Sequence, residues 1–482
     1  MSAVRTSEAA KSPIQPRVLI AGEEVTGNLL EVRSPFSNDV VGSVPSVAPA
    51  RTADAIDAAY EAMKEGMPAY QRAEILDQAA SLLKTRRDYF AGLLSLEIGK
   101  PISQALIEVD RCVQTLVFSA IEARTLTGTG VVFDAHPAGV GRRGLTIRVP
   151  IGVVGAITPF NFPLNLAAHK VAPAIAAGCG VVLKPARSAP LAAAEFANLL
   201  YEAGLPTSWL SVVVGPSSEI ADVLIADDRV GMMTFTGSSE VGWGLVSRAP
   251  KKRVNLELGN STPVIVCADG DLAAAAAAAA GSAFGFAGQS CISIQRVLVE
   301  ESAHEEFTDL LREATLAKRV GDPLDPDTDV GPLITTGERD RVIEWIEEAR
   351  AAGAKPIVDI DMDGPLLHPV VLDDVSEQSQ VWHGEIFGPY VGVAKFNSFD
   401  QAITMANNTK YGLQAGIFTS DLNKAFSAAE QLDFGGVTIN ESPTYRVDQM
   451  PYGGTKDSGN TREGPHYAVR EMTEERVIVI GS

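Results

Sequence analysis

From residue 151 onward the chain alternates short apolar runs with helical patterns five times. Runs at 151–157, 181–183, 210–214, 230–235 and 254–258 are separated by amphipathic stretches at 164–177, 191–203, 217–225 and 238–246. Parallel strands cannot be joined by tight turns, so such spacing calls for a parallel sheet with crossover helices. The fold class expected is α/β, with a doubly wound, Rossmann-type sheet. After Gly259 the rhythm restarts with 263–267, a polyalanine run at 273–280, and strands near 294–299 and 391–396, which indicates a second α/β domain. Asp269 and Asp271 precede the alanines as caps, and alanine is the best helix former, so this run is read as a buried helix. Residues 54–125 carry helical patterns such as Ala73, Leu76, Ala79, Leu82 and Leu83 on one face, with Asp77, Lys84 and Arg87 elsewhere. These are read as surface helices packed on a sheet.

A chain of 482 residues has room for about two to three domains. Its 60 acidic and 40 basic side chains leave a net charge of −20, which repels phosphate backbones and anionic lipid, so neither nucleic acid nor membrane is an expected partner. An anionic substrate would need local positive charge against that field. Cys112, Cys179, Cys267 and Cys291 form no CxxC pair and no finger-like spacing with histidine. No metal site is expected, and a reducing cytoplasm is the expected setting. Residues 1–16 lack the apolar core of a signal peptide and are read as a polar arm. The apolar region 149–183 is broken by Pro150, Gly152, Pro159, Asn161, Pro163, His169 and Lys170, so it holds no membrane span.

Several residues could carry chemistry. Cys291 ends Phe286-Ala287-Gly288-Gln289-Ser290-Cys291, where small neighbours, Gly285 among them, would let a substrate and a flat cofactor ring approach. A thiolate there could attack a carbonyl carbon. Buried structural roles are expected for the other three cysteines. Glu257, flanked by Leu256 and Leu258, is either a solvated strand end or a base whose proton affinity is raised by burial. Asn161, between Pro159 and Pro163, is either a turn former or an oxyanion donor. Gly237 to Gly242 make a strand-to-helix turn that could receive a pyrophosphate or could need glycine for its shape alone. Lys184 follows the strand at 181–183, as a surface cation or in a nucleotide crevice.

Four segments, Pro159-Phe160-Asn161-Phe162-Pro163, Phe235-Thr236-Gly237-Ser238, Asn255-Leu256-Glu257-Leu258-Gly259 and Phe286 to Cys291, stand in an order that resembles the aldehyde dehydrogenase superfamily. Glu385-Ile386-Phe387-Gly388-Pro389 and Pro451-Tyr452-Gly453-Gly454-Thr455-Lys456-Asp457-Ser458-Gly459 extend the match, which runs from about Ala21 to the C-terminus. The resemblance implies oxidation of an aldehyde to the carboxylic acid through a thiohemiacetal and a thioester on Cys291. Asn161 is then the oxyanion donor and Glu257 the base for water. It also implies NAD or NADP, held by Thr158, Phe160, Lys184, Arg187, Gly215, Phe235, Gly237, Ser238, Leu258, Gly259, Glu385 and Phe387. Arg187 stands where a ribose-binding glutamate is common in the family, and a guanidinium attracts a 2′-phosphate, so NADP should serve at least as readily as NAD. Glu463 matches a position given a proton-relay part.

Arg111, His169 and Arg446 are taken as a set that clamps an anionic group of a small aldehyde, as in the lactaldehyde, sulfolactaldehyde and phosphonoacetaldehyde dehydrogenase branches. Singly, each reads as a surface charge or a core histidine. The implied organisation is a cofactor domain (1–125 and 149–258), a catalytic domain (259–440), and an oligomerisation hairpin with a C-terminal strand (126–148 and 464–482) that builds a homodimer or homotetramer. Two alternatives stand beside this reading. One is a coenzyme A-acylating semialdehyde dehydrogenase, which the presence of Glu257 disfavours. The other is a non-catalytic binding protein on the same fold.

Overall fold

The computed structural model describes residues 13–481. Its first sheet holds β1 (Val153–Ile157), β2 (Val181–Lys184), β3 (Leu210–Val212), β4 (Val230–Thr236) and β5 (Arg253–Glu257) in the order β5-β4-β1-β2-β3. Every pairing is parallel. β1, β2 and β3 are buried along their whole length, which explains their unbroken apolar character. The chain runs outward from β1 through β2 to β3 and then returns to the other side of β1 as β4. A crevice therefore opens beyond the carboxyl ends of β1 and β4, the place where open α/β sheets take ligands.

Four residues, 258–261, lead from β5 into a second sheet. It comprises β6 (Thr262–Val266), β7 (Ile294–Glu300), β8 (Lys355–Val358), β9 (Val370–Asp373), β10 (Tyr390–Phe396), β11 (Gln414–Phe418) and β12 (Gly436–Ile439), in the order β8-β9-β10-β7-β6-β11-β12. All its pairings are parallel except β8 with β9. This sheet has its own core, in which Phe307, Trp382 and Tyr390 are fully buried.

Helix α1 (Ile102–Thr125) packs on α2 (Pro163–Ala177), which fills the crossover between β1 and β2. Helix α3 (Ser239–Arg248) joins β4 to β5. Gly242 lets it sit close, since a Cβ there would lie 2.6 Å from the Leu258 side chain. The polyalanine run lies in α4 (Leu272–Phe284), capped by the Asp271 carboxylate on the Ala274 N–H at 2.9 Å. The expectation of a buried helix is corrected, because Ala273, Ala274 and Ala277 are exposed. A face made only of alanine carries no polarity pattern to say which side meets the sheet.

Other expectations are revised at the edges. Residues 1–12 of the predicted polar arm lie outside the described residues, while Ile14 donates its N–H to Val41 O at 2.8 Å and is tied to the strand Val40–Pro45. That strand pairs with Leu29–Arg33, a hairpin in a stretch to which the sequence assigned no element. Within residues 126–148, Gly130–Val131 pairs antiparallel with Gly144 and Leu145 of the strand Arg143–Pro150. The terminal strand, Thr473–Ile480, pairs with Arg143–Pro150 along its full length. Among the described residues no helix is long and apolar enough to cross a membrane.

Candidate active site

A cavity of about 400 Å³ lies where the ends of β1, β4 and β5 face the second sheet, and Asn161, Glu257 and Cys291 all line it. Asn161 sits in the turn between β1 and α2, where Pro163 opens the helix at a position that needs no N–H donor. Its Nδ2 donates to Gln289 O at 3.0 Å, so the turn is fastened to the loop that carries Cys291. That loop has Phe286, Ala287 and Gly288 in succession at φ 49°, 52° and 70°. A Cβ on Gly288 would lie 2.0 Å from Gly388 O. This glycine therefore serves the chain's own close approach as well as the access that the sequence suggested. The Gln289 side chain holds the loop, donating to Phe286 O at 3.2 Å and accepting from the Ile334 N–H at 2.9 Å.

Burial pushes the Cys291 thiol up to about 12, against a hydrogen bond with the Tyr452 hydroxyl at 3.0 Å that works the other way. Glu257 closes β5, is buried, and neither carboxylate oxygen has a hydrogen-bond partner among the described residues. Burial first, and then the Glu463 carboxylate, raise its proton affinity well above the ordinary carboxylate range, with Arg446 and Lys170 opposing. Glu463 behaves in the opposite way. Burial works against its charge, but Lys170 at 3.3 Å and Arg446 at 3.0 Å hold it ionised. Two neighbouring carboxyls thus differ in protonation, the pattern that separates acid from base roles.

Arg111 and Arg446 also line the cavity. His169 does not. Its ring is buried behind them, 2.9 Å from Asp448 Oδ1 and 3.3 Å from an Arg446 nitrogen, and burial together with Arg446 lowers its proton affinity. Asp448 also pairs with Arg111 at 2.9 Å, and these partners keep it ionised in spite of burial. Of the three residues expected as a clamp, Arg111 and Arg446 stand at the cavity wall and His169 lies behind them. α2 points His169 into the core next to Thr115, and the loop bearing Asp448 then covers it.

The residues expected around a dinucleotide fall into two groups. Phe160, Gly237, Ser238, Leu258, Gly259, Glu385 and Phe387 line the cavity with the catalytic candidates. Phe160 and Phe387 meet edge to face at 6.0 Å. A Cβ on Gly259 would lie 2.3 Å from the Glu385 carboxylate, which accepts the Asn260 N–H at 3.2 Å. Burial raises that carboxyl to about 7. Thr158, Lys184, Arg187, Gly215 and Phe235 lie instead along the strand ends outside the cavity wall. Burial and the Arg187 charge lower the Lys184 ammonium to about 8, while Arg187 itself is exposed.

Residues 22–478 match the aldehyde dehydrogenase family. The chain belongs to that family. The 3-sulfolactaldehyde dehydrogenase of Priestia aryabhattai is 43% identical over 457 residues, 95% of this chain and 96% of the relative. Aldehyde dehydrogenase 21 of Physcomitrella patens, solved with the product succinate, superposes with a TM-score of 0.94 at 39% identity, covering 98% of this chain and 99% of that one. Glyceraldehyde-3-phosphate dehydrogenase of Methanocaldococcus jannaschii, solved with NADP, gives 0.91 at 36% identity, covering 95% and 100%.

The protein is an NAD(P)-dependent aldehyde dehydrogenase that takes an aldehyde to the acid. Its crevice fits a dinucleotide: Thr158 Oγ1 and Thr236 Oγ1, at the ends of β1 and β4, are buried without partners among the described residues. The N-terminus of α3 beside them has no side-chain cap. Residues the sequence did not single out also enter this enzyme's site. Asp448 joins Arg111 to His169, Lys170 holds Glu463, and Tyr452 touches the sulfur. Tyr452 lies in the segment Pro451 to Gly459, but nothing in that segment says what its hydroxyl meets.

Proposed function

We propose that the enzyme oxidises a short aldehyde bearing a phosphate, phosphonate, sulfonate or carboxylate group, with Cys291 as nucleophile, Asn161 as oxyanion donor and Glu257 as base. The observation that carries this is the placing of Arg111 and Arg446 on the wall of the Cys291 cavity in a chain of net charge −20. Arg446 Nε is buried without a partner among the described residues, which leaves a donor for an anion. The names of two relatives support the class, since sulfolactaldehyde carries a sulfonate and succinate carries two carboxylates.

In this reading the Cys291 sulfur bonds to the carbonyl carbon, and the oxygen takes up the electron pair beside Asn161 Nδ2 and the Cys291 N–H. Bound nicotinamide supplies the hydride acceptor. Glu257 then removes a proton from the water that attacks the thioester, the C–S bond breaks, and the acid leaves. Glu463, held ionised beside it by Lys170 and Arg446, strengthens the hold of Glu257 on that proton. An unpartnered Glu257 in the cavity supports hydrolysis over transfer to coenzyme A. Lys184 and Arg187, like charges at the end of β2, support use of NADP at least as readily as NAD.

The division into a cofactor domain (1–125 and 149–258), a catalytic domain (259–440) and an assembly element (126–148 and 464–482) belongs to the same proposal. A homodimer or homotetramer is built through the last of these, and four free cysteines suit a reducing cytoplasm. The test is Arg111→Ala, assayed on anionic and neutral aldehydes of similar size. A lost charged hydrogen bond is worth about 1.5–3 kcal/mol, so kcat/KM for the anionic substrate should fall about 10- to 100-fold with little change for the neutral one. Equal losses reject the clamp.

A further inference from the structure

Among the described residues the Cys291 sulfur has one hydrogen-bond partner, the Tyr452 hydroxyl at 3.0 Å. The charged groups that face it are Glu257 and Glu385, which oppose a thiolate, and Arg446, which favours one. The histidine in this region, His169, is bonded to Asp448, Thr115 and Arg446 and not to sulfur. The nucleophile thus lacks the imidazole that activates many catalytic thiols.

Tyr452 is 3% exposed and packs with Ile292 and Leu413. The Arg446 guanidinium lies over its ring, 3.7 Å from the centroid. Backbone pairing with Glu463 fixes the ring's position, the Tyr452 N–H donating to Glu463 O at 3.2 Å. A cation on the ring face draws electron density from the phenol and strengthens its O–H as a donor. Burial first, and then Cys291 and Glu257, keep the phenol's own proton in place, with Arg446 opposing.

We propose that Tyr452 is a further catalytic residue, whose hydroxyl donates a hydrogen bond to the Cys291 sulfur and stabilises its thiolate. The S–H bond breaks, its electron pair stays on sulfur, and the proton leaves to water. The Tyr452 O–H bond is kept throughout. Arg446 then has two parts, meeting the substrate anion and polarising the phenol that supports the nucleophile.

The test is alkylation of the full-length enzyme by iodoacetamide, followed at the Cys291 peptide by mass spectrometry across about pH 7 to 10. In each event a C–S bond forms and iodide leaves, so no turnover is needed. Tyr452→Phe keeps the ring and its stacking but removes the donor. Its rate should lie about tenfold below wild type at each pH, on a parallel line, as a thiol about one pKa unit weaker as an acid requires. An equal or faster rate overturns the proposal. Incorporation of 3-fluorotyrosine at position 452, a more acidic donor of nearly the same shape, should raise the rate several-fold, and an unchanged or lower rate again overturns it. The inference rests on Cys291 being the nucleophile. Undiminished turnover in Cys291→Ala would sink that reading, whereas the alkylation rates bear on Tyr452 alone.

Discussion

Glu257 is the residue whose chemistry and stability pull in opposite directions. Its folded-state proton affinity is raised by burial and by Glu463, so the native chain holds a proton that the unfolded chain has lost above its ordinary value of 4.5. Stability from this position is therefore greatest in acid and declines as pH rises towards the folded value. Glu257→Gln, uncharged throughout, should match wild type near about pH 4.5 and be the more stable at about pH 8, as read from urea midpoints. The same variant should give one burst of reduced cofactor per subunit, followed by turnover slowed about 10²- to 10⁴-fold. Asn161→Ala should slow acylation by about 3 kcal/mol in the barrier, measured in single turnover. At Arg187, replacement by glutamate should shift the ratio of specificity constants towards NAD. A strong wild-type preference for NAD that the replacement leaves unchanged would reject the role given to this guanidinium.

At the scale of elements, one buried ion pair lies against both the nucleophile loop and the Asn161 turn. Lys100 and Glu108 are fully buried and in contact, at the entry and first turns of α1. Glu108 accepts the N–H groups of Leu164 at 3.1 Å and Asn165 at 3.2 Å, capping α2 from a neighbouring helix. The Lys100 ammonium lies 3.6 Å from the Phe162 ring centroid and 4.6 Å from that of Phe286. These two rings flank Asn161 and the left-handed stretch before Cys291. Glu108→Ala leaves a buried cation and two helix N–H groups without partners, which should cost about 3–5 kcal/mol in denaturant unfolding.

For the whole molecule, the terminal strand stands out. Every residue of Thr473–Ile480 after the first is exposed, although Val477, Ile478, Val479 and Ile480 are apolar and present both faces. It forms the edge of a three-stranded sheet, and its outer side has no strand partner among the described residues. Such an edge invites a second chain. Replacing Val477 and Val479 together with glutamate should reduce the mass measured by light scattering, and an unchanged mass would reject assembly through this strand.

The sequence by itself determined the elements and the chemistry on offer. Periodicity depends on neighbours a few residues apart, so the parallel strands from 151 to 258 and the helices around them were legible, as were the segments holding Asn161, Glu257 and Cys291. The polyalanine helix was legible as a helix but not in its orientation, because alanine alone has no polar side. Only the tertiary structure decided that His169 stands behind Arg111 and Arg446, that Asp448 joins them, and that the Tyr452 hydroxyl meets the Cys291 sulfur across 161 residues of chain. Those contacts arise when two sheets and a C-terminal loop close on one cavity, and burial there sets which carboxyl keeps its proton, a property that no local pattern of residues encodes.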